Sequence, residues 1–315
     1  MGEHRNPRLV VDLPVWAELV GHELHQGVAE TPEGPWWFSV RKTVPTSAGT
    51  VFSLGERTPV GHRLWAYTNF DCNLACMYCC AESSPKADAR RLTPEVAREA
   101  FGEFATLGGS KVFLTGGEPF MHPELGELVA AAEGLHRTIL TNAMIFGRGR
   151  RRELLESLDR DVVLQVSLDS STATLHDQQR GKGSWSRAIE GIGQARTLGF
   201  QVRVAATMFD EDPAGVDALH RRLDQEGIAM EERFIRPVAA EGFADSGVHV
   251  SIDNLEPEPT ITADGAWWHP VAVTNPHTRI QDTPTPVAEL LDVVRDTLAV
   301  QDAAARSGRE VFRCA

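Results

Sequence analysis

The sequence predicts an α/β protein whose core is a parallel sheet, open or curled into a partial barrel. Three observations carry that expectation. From Leu64 to about residue 247, six strand-like runs, "RLWAY", "KVFLT", "RTILT", "VVLQVSL", "QVRVAAT" and "MEERFIRP", alternate with segments of helical period. Each unit spans about 30 to 35 residues, the length of a strand with its crossover helix, so successive strands run parallel. A cysteine-rich loop follows the first strand, "TGGEP" the second, "TN" the third and "SLDS" the fourth, so all four motifs land on one rim. In parallel sheets that rim, at the carboxyl ends of the strands, is where ligands bind.

Taken in order, "PEGPWWFSVRKTVPTSAGTVFSLGERTPVGH" before Leu64 mixes short apolar runs with Pro and Gly. It reads as a few strands or a hairpin packing on the main body. Within the body, helical periods are carried by "TPEVAREAFGEFATLG", "ELGELVAAAEGL", "RRRELLESL", "SWSRAIEGIGQARTLG" and "PAGVDALHRRLDQEG". Past residue 247 the rhythm stops. "EPEPTITADGAWWHPVAVTNPHTRI" reads as a hairpin or two with a turn at Asp264-Gly265, and "TPVAELLDVVRDTLAVQDAAARSG" as a helix. The expected organisation is an N-terminal segment over 1–63, the body over 64–247 and a separate C-terminal α+β cap over 248–315.

The chain of 315 residues is 42% hydrophobic and 24% charged, enough to bury a large core. No apolar run approaches the roughly 18 residues that span a bilayer, and the start lacks the pattern of a secretory signal, so a cytoplasmic protein is expected. A net charge of −13 argues against a protein that coats nucleic acid or anionic membrane. Four of the five cysteines fall within nine positions, which is the wrong arrangement for an extracellular disulfide framework and points to metal or redox chemistry.

Those four lie in "YTNFDCNLACMYCC", where Cys72, Cys76 and Cys79 are spaced C-x3-C-x2-C. A structural zinc site wants four ligands, commonly as two separated pairs, and no distant pair completes one here. Three thiolates on one loop suit three irons of a 4Fe-4S cube, with the fourth iron left open. Two plainer readings stand beside this one: a zinc site completed elsewhere, and three cysteines sharing a buried helical face at i, i+4 and i+7.

The cysteine spacing with Tyr78 before the last thiol, "GGEP" after the second strand, and "VSLDS" followed by "HDQQRGKGSW" after the fourth resemble, as an ordered set, the radical S-adenosylmethionine (SAM) superfamily. The resemblance runs from about residue 64 to 247, in the branch near molybdenum-cofactor cyclases and SPASM/twitch enzymes. It implies a partial (β/α)6 TIM-like barrel, a 4Fe-4S cluster on Cys72, Cys76 and Cys79, and SAM on the open iron. It further implies reductive cleavage of SAM to methionine and a 5'-deoxyadenosyl radical that takes hydrogen from the substrate, with a flavodoxin- or ferredoxin-type electron donor.

By the same resemblance Gly116, Gly117 and Glu118 hold the methionine amino group, and Ser167 lies near the ribose or carboxylate. Asp169 is divided between a ligand contact and a helix cap. Arg180, read as standing in a loop, pairs with the SAM carboxylate. Arg236 lies under the adenine or substrate, Asn142 is a similar candidate, and the Tyr78 backbone meets the adenine edge. His176 and Asp177 are read as capping residues or left without a role.

Two departures stand out. Cys80 is a fourth cysteine the family pattern does not use, either an apolar filler or a hydrogen-atom donor to the substrate; Cys314 is a second candidate donor. The segment "TITADGAWWHPVAV" is similar to a SPASM or twitch turn that keeps T-I-x-x-D-G, but Trp268-His269-Pro270 stands where the following cysteine is usual. One cluster only is therefore expected, and epimerisation, rearrangement or elimination rather than oxidation. Trp267 and Trp268 are read as packing, with His269 either packing or facing the rim. The substrate is a small polar metabolite or a short peptide, the former favoured because nothing before residue 60 reads as a leader-peptide-binding domain. The competing class is a non-catalytic zinc or Fe-S regulatory protein.

Overall fold

The computed structural model describes residues 2–4, 23–26, 36–41, 61–209, 213–252 and 255–305. The chain divides into two compact units, Met1–Ser53 and Leu54–Ala315. In the first, strands β1 (Gly2–His4), β2 (Glu23–Gln26) and β3 (Trp36–Arg41) form an antiparallel sheet in the order β1-β3-β2.

The second unit is organised by six parallel strands in sequence order. They are β4 (Arg63–Asn69), β5 (Lys111–Gly116), β6 (His136–Thr141), β7 (Val163–Ser167), β8 (Val202–Met208) and β9 (Arg233–Pro237). All six stand on the predicted apolar runs. Parallel strands are covered on both faces, so β4 and β5 read as near-continuous buried stretches rather than alternating ones. With their crossover helices they make the partial (β/α)6 barrel.

Five of those helices fall on predicted segments: α1 (Pro94–Thr106), α2 (Leu125–Ala131), α3 (Arg150–Ser157), α5 (Ser184–Thr197) and α6 (Pro213–Gln225). In α1, Thr93 caps the first turn by accepting from Val96 N, and Pro94 occupies a position that needs no donor. Its stripe of Ala97, Ala100, Phe101 and Phe104 is buried, and each phenylalanine contributes about 1.5–3 kcal/mol by leaving water.

The start of "HDQQRGKGSW", expected as loop, belongs to a helix, α4 (Ala173–Arg180), and Arg180 is its last residue. Its single buried residue is His176, so the apolar stripe that reveals the other helices is missing.

The segment expected as a separate cap joins the same sheet. Strands β10 (Thr260–Thr262), β11 (Gly265–Trp267) and β12 (Arg279–Gln281) extend it outward from β4, in the order β12-β11-β10-β4-β5-β6-β7-β8-β9. β10 runs parallel to β4, with Trp65 N donating to Pro259 O at 2.8 Å. The hairpin turn sits at residues 263 and 264, one position before the expected Asp264-Gly265, because Thr262 pairs with Gly265. Helix α7 (Val287–Ala305) then packs on α1, where Glu103 accepts from Val287 N (2.6 Å) and Ala288 N (3.0 Å) and so satisfies two donors of its first turn. Among the described residues no helix is long and apolar enough to cross a membrane.

Candidate functional site

At the carboxyl ends of β4 to β9 lies one cleft. The loop that leaves β4 enters it through a lattice of backbone and amide bonds. Asn69 O accepts from Gly117 N (2.9 Å), Asp71 O from Glu118 N (3.1 Å), and Asn69 Nδ2 donates to Asp71 O (2.8 Å) and Glu118 O (3.2 Å). The two glycines permit this lacing. A Cβ on Gly116 would lie 2.2 Å from Asn69 O and one on Gly117 2.2 Å from Asp71 O, and Gly116 also has φ +139°. The close approach they allow is to the chain's own backbone at 69–71, and both glycines also line the cleft, on the side where the sequence expects a ligand.

Residues 72–80 form turns, not a helix, so the three cysteines share no helical face. Cys72, Cys76, Cys79 and Cys80 all line the cleft. Leu74 N (3.4 Å) and Asn142 Nδ2 (3.9 Å) point at Cys72 Sγ, and Ser83 N (3.3 Å) at Cys79 Sγ. Burial, with Glu118 alongside, pushes the Cys72 thiol far up; burial pushes Cys76 up to about 11 against the pull of Arg180. These sulfurs keep their protons unless a metal displaces them, while the amides aimed at them favour the thiolate once it forms. Among the described residues no three His, Cys, Asp or Glu side chains converge where one ion would sit, as zinc requires. A cube takes one thiolate per iron, so its ligands stand farther apart than those of a single ion, and three cysteines lining one cleft fit it.

Asn142, just past β6, with Ser167 on β7, Arg180 on α4 and Arg236 on β9, lines the cleft beside the loop, and Asn142 Nδ2 donates to Asn73 Oδ1 at 2.8 Å. Behind Arg180 lies a buried polar knot. Its guanidinium grips Asp169 with Nε to Oδ2 at 2.5 Å and Nη2 to Oδ1 at 3.1 Å, the Tyr78 hydroxyl donates to Asp169 Oδ2, and Thr207 N donates to Oδ1 at 3.0 Å. Burial alone would raise the Asp169 carboxyl, but Arg180 and these donors outweigh it and hold it below the usual range. Asp169 is therefore neither a helix cap nor part of the cleft wall. The Tyr78 side chain, not only its backbone, belongs to the site, its ring buried edge-on to Phe209.

Glu118 lies behind the wall, fully buried. Its Oε1 accepts from Phe120 N (3.1 Å) and Thr141 Oγ1 (2.8 Å), its Oε2 from Asn142 N (2.8 Å), and burial raises its carboxyl to about 7. Its side chain joins the turn after β5 to the turn after β6. Nearby, His176 Nδ1 accepts from Asp169 N, while Asp177 accepts from Gly183 N and Trp185 N at the start of α5.

The wall toward the C-terminal strands includes Tyr67, Pro270 and Val271, and Tyr67 OH donates to Pro270 O at 2.6 Å. Cys80 sits against Tyr67. Sequence reasoning passed over Tyr67; the signal was period two, since Trp65 and Tyr67 alternate on one face of β4. Trp267, Trp268 and His269 are buried outside the cleft lining and pack the hairpin. His269 Nδ1 accepts from Val271 N, and burial, helped by Arg236, lowers the ring to about 3. Cys314 lies outside the described residues.

The family model of the radical SAM superfamily matches residues 68–222. The chain is 31% identical over 179 residues to the antilisterial bacteriocin subtilosin biosynthesis protein AlbA of Bacillus subtilis, covering 55% of this chain and 37% of that protein. It is 29% identical over 184 residues to PqqA peptide cyclase of Ruegeria pomeroyi, covering 58% and 47%. The chain thus spans less than half the length of these curated relatives. Native anSMEcpe with bound AdoMet and Kp18Cys peptide shares the fold at TM-score 0.58 and 11% identity, over 76% of this chain and 83% of that one. Members of the superfamily use a 4Fe-4S cluster and SAM. The matched residues run from the end of β4 into α6 and take in the cysteine loop and the knot behind Arg180, so this chain carries a radical SAM domain.

Proposed function

We propose that this chain is a radical SAM enzyme that modifies a peptide in a biosynthetic pathway. The observation that carries the reading is that Cys72, Cys76 and Cys79 line one cleft with Asn142, Ser167 and Arg180. The three thiolates would hold the cluster. Arg180, kept charged and oriented by Asp169, offers its free edge to a carboxylate, and Asn142 and Ser167 offer polar contacts to the rest of SAM. Glu118 acts one step back, by holding the Asn142 backbone. When bound, the cluster and SAM supply a one-electron cleavage and a carbon radical that takes hydrogen from the substrate; the protein supplies orientation and a cleft walled by Trp65, Tyr67, Leu74 and Val271 that limits water.

A peptide replaces the small metabolite favoured by the sequence because one relative is named a peptide cyclase, another a bacteriocin biosynthesis protein and others mycofactocin maturases, although relatives of equal similarity are named heme synthases. Residues 248–315 contain one cysteine, Cys314, and the buried His269 is committed to its turn, so we assign one cluster to this chain and a redox-neutral outcome on the substrate. A flavodoxin- or ferredoxin-type protein would supply the electron. Anaerobic reconstitution with iron and sulfide, then incubation with SAM and dithionite, tests the reading. Deoxyadenosine is expected from the wild type and not from the Cys72→Ala, Cys76→Ala, Cys79→Ala triple variant; a well-loaded cluster that yields none would remove the catalytic assignment.

A further inference from the structure

A second cleft, of about 680 Å³, opens beside the first between the turn after β5 and the start of α3. Phe120, Met121 and Pro123 line one side, Arg148, Arg150 and Arg151 the other, and no carboxylate lines it. All three arginines are exposed. None of their guanidiniums makes an ion pair or hydrogen bond with a described residue, whereas the next one along, Arg152, pairs with Glu156 at 2.6 Å.

This arrangement works against local stability. The N-terminus of a helix carries the positive end of its dipole, so arginine at the first two positions of α3 is unfavourable there. The N-cap is Gly149, at φ +66°, and no side chain caps the turn. A chain of net charge −13 that gathers three exposed arginines on one cleft, of which Arg151 also feels the buried Glu118, has a surface that selects an anionic partner.

We propose that this cleft binds an acidic, partly apolar stretch of the peptide substrate, away from the reacting residue. The inference rests on the peptide reading above. Arg150 and Arg151 open α3, so their side chains leave about 100° apart, and Arg148 reaches the same cleft from the turn before Gly149, spreading the three charges in a fan across it. A fan suits a row of carboxylates better than one phosphate, and the facing wall of Phe120, Met121 and Pro123 suits apolar side chains between them. Both clefts lie on one rim. Asn142, in the first, precedes Arg148 by six residues, and Glu118 joins the turns that separate the two.

The test is fluorescence anisotropy of the full chain with a labelled peptide of leucines and paired glutamates, at low and high salt. The wild type should bind in a salt-dependent way. The Arg148→Glu, Arg150→Glu, Arg151→Glu variant should bind about tenfold more weakly or not at all, and Arg98→Glu, on exposed α1 surface, should bind like wild type. Glutamate at the first positions of α3 favours the helix, and circular dichroism checks that the variant folds. An Arg148→Gln, Arg150→Gln, Arg151→Gln variant should fall between. Equal binding by wild type and charge-reversed protein, no binding at low salt, or tight binding of inorganic phosphate without the peptide would each overturn the proposal. The readout needs neither cluster nor SAM, so a failure to form deoxyadenosine leaves it standing and falls on the catalytic reading alone.

Discussion

Arg180 closes on Asp169 with two nitrogens, at 2.5 and 3.1 Å, in a pair whose aspartate side chain is wholly buried and whose arginine side chain is 11% exposed. A buried ion pair is costly to break from one side because it strands the other charge. Asp169→Ala should therefore destabilise the protein by about 3–5 kcal/mol in urea unfolding and weaken SAM binding, since Arg180 loses the partner that aims it. Asp169→Asn, which keeps an acceptor, should cost less. A loss below about 1 kcal/mol for the alanine variant, the range of exposed pairs, would count against the knot.

The assignment of three ligands and one extra thiol is separable by iron content. Cys72→Ala, Cys76→Ala and Cys79→Ala should each fail to retain iron and sulfide after reconstitution. Cys80→Ala should retain both at wild-type level, because its sulfur stands against Tyr67. Loss of iron from Cys80→Ala would make it a ligand and reopen the set.

What was legible in the sequence was what local chemistry dictates. The parallel strands showed because burial on both faces writes them as apolar runs, and the cysteine loop because its spacing is itself the signal. Helix α4 was hidden because only His176 in it is buried. The partners of Asp169 come from Tyr78, Arg180 and Thr207, three separate turns of the rim, and nothing short of the fold brings them together. Gly116 and Gly117 announced a close approach without saying to what; that Asn69 and Asp71 are the answer depends on β4 lying beside β5.

That answer yields a third prediction. In Gly117→Ala the new Cβ would meet Asp71 O at 2.2 Å, and backbone, unlike a flexible side chain, gives way only by moving the loop. The variant should lose about 1–3 kcal/mol of stability and much of its capacity to hold iron, although no cysteine has changed. Full iron loading with unaltered stability would show that residues 69–71 are free to retreat. Gly102→Ala, where a Cβ meets nothing within 4 Å inside α1, is the matched control.

The buried carboxyl of Glu118 supplies a pH signature. Burial, its largest influence, lifts it to about 7 from the usual 4.5, despite donors from Phe120 N, Thr141 Oγ1 and Asn142 N. The folded state then holds its proton more tightly than the unfolded chain does. The contribution to stability is fully present below about pH 4.5 and is lost as pH rises through about 7, a change of about 3 kcal/mol. His176 and His269 act in the opposite direction: burial lowers them to about 4 and about 3, so the unfolded chain takes up protons first as pH falls, and they favour the folded state as pH rises. The wild-type curve mixes these effects, and the difference between wild type and Glu118→Gln separates them. That difference in unfolding free energy, taken on protein without iron, should fall by about 3 kcal/mol between about pH 4.5 and pH 8. If it stays flat, Glu118 ionises as a solvent-exposed carboxylate would, and its role as the buried tie between the two turns is wrong.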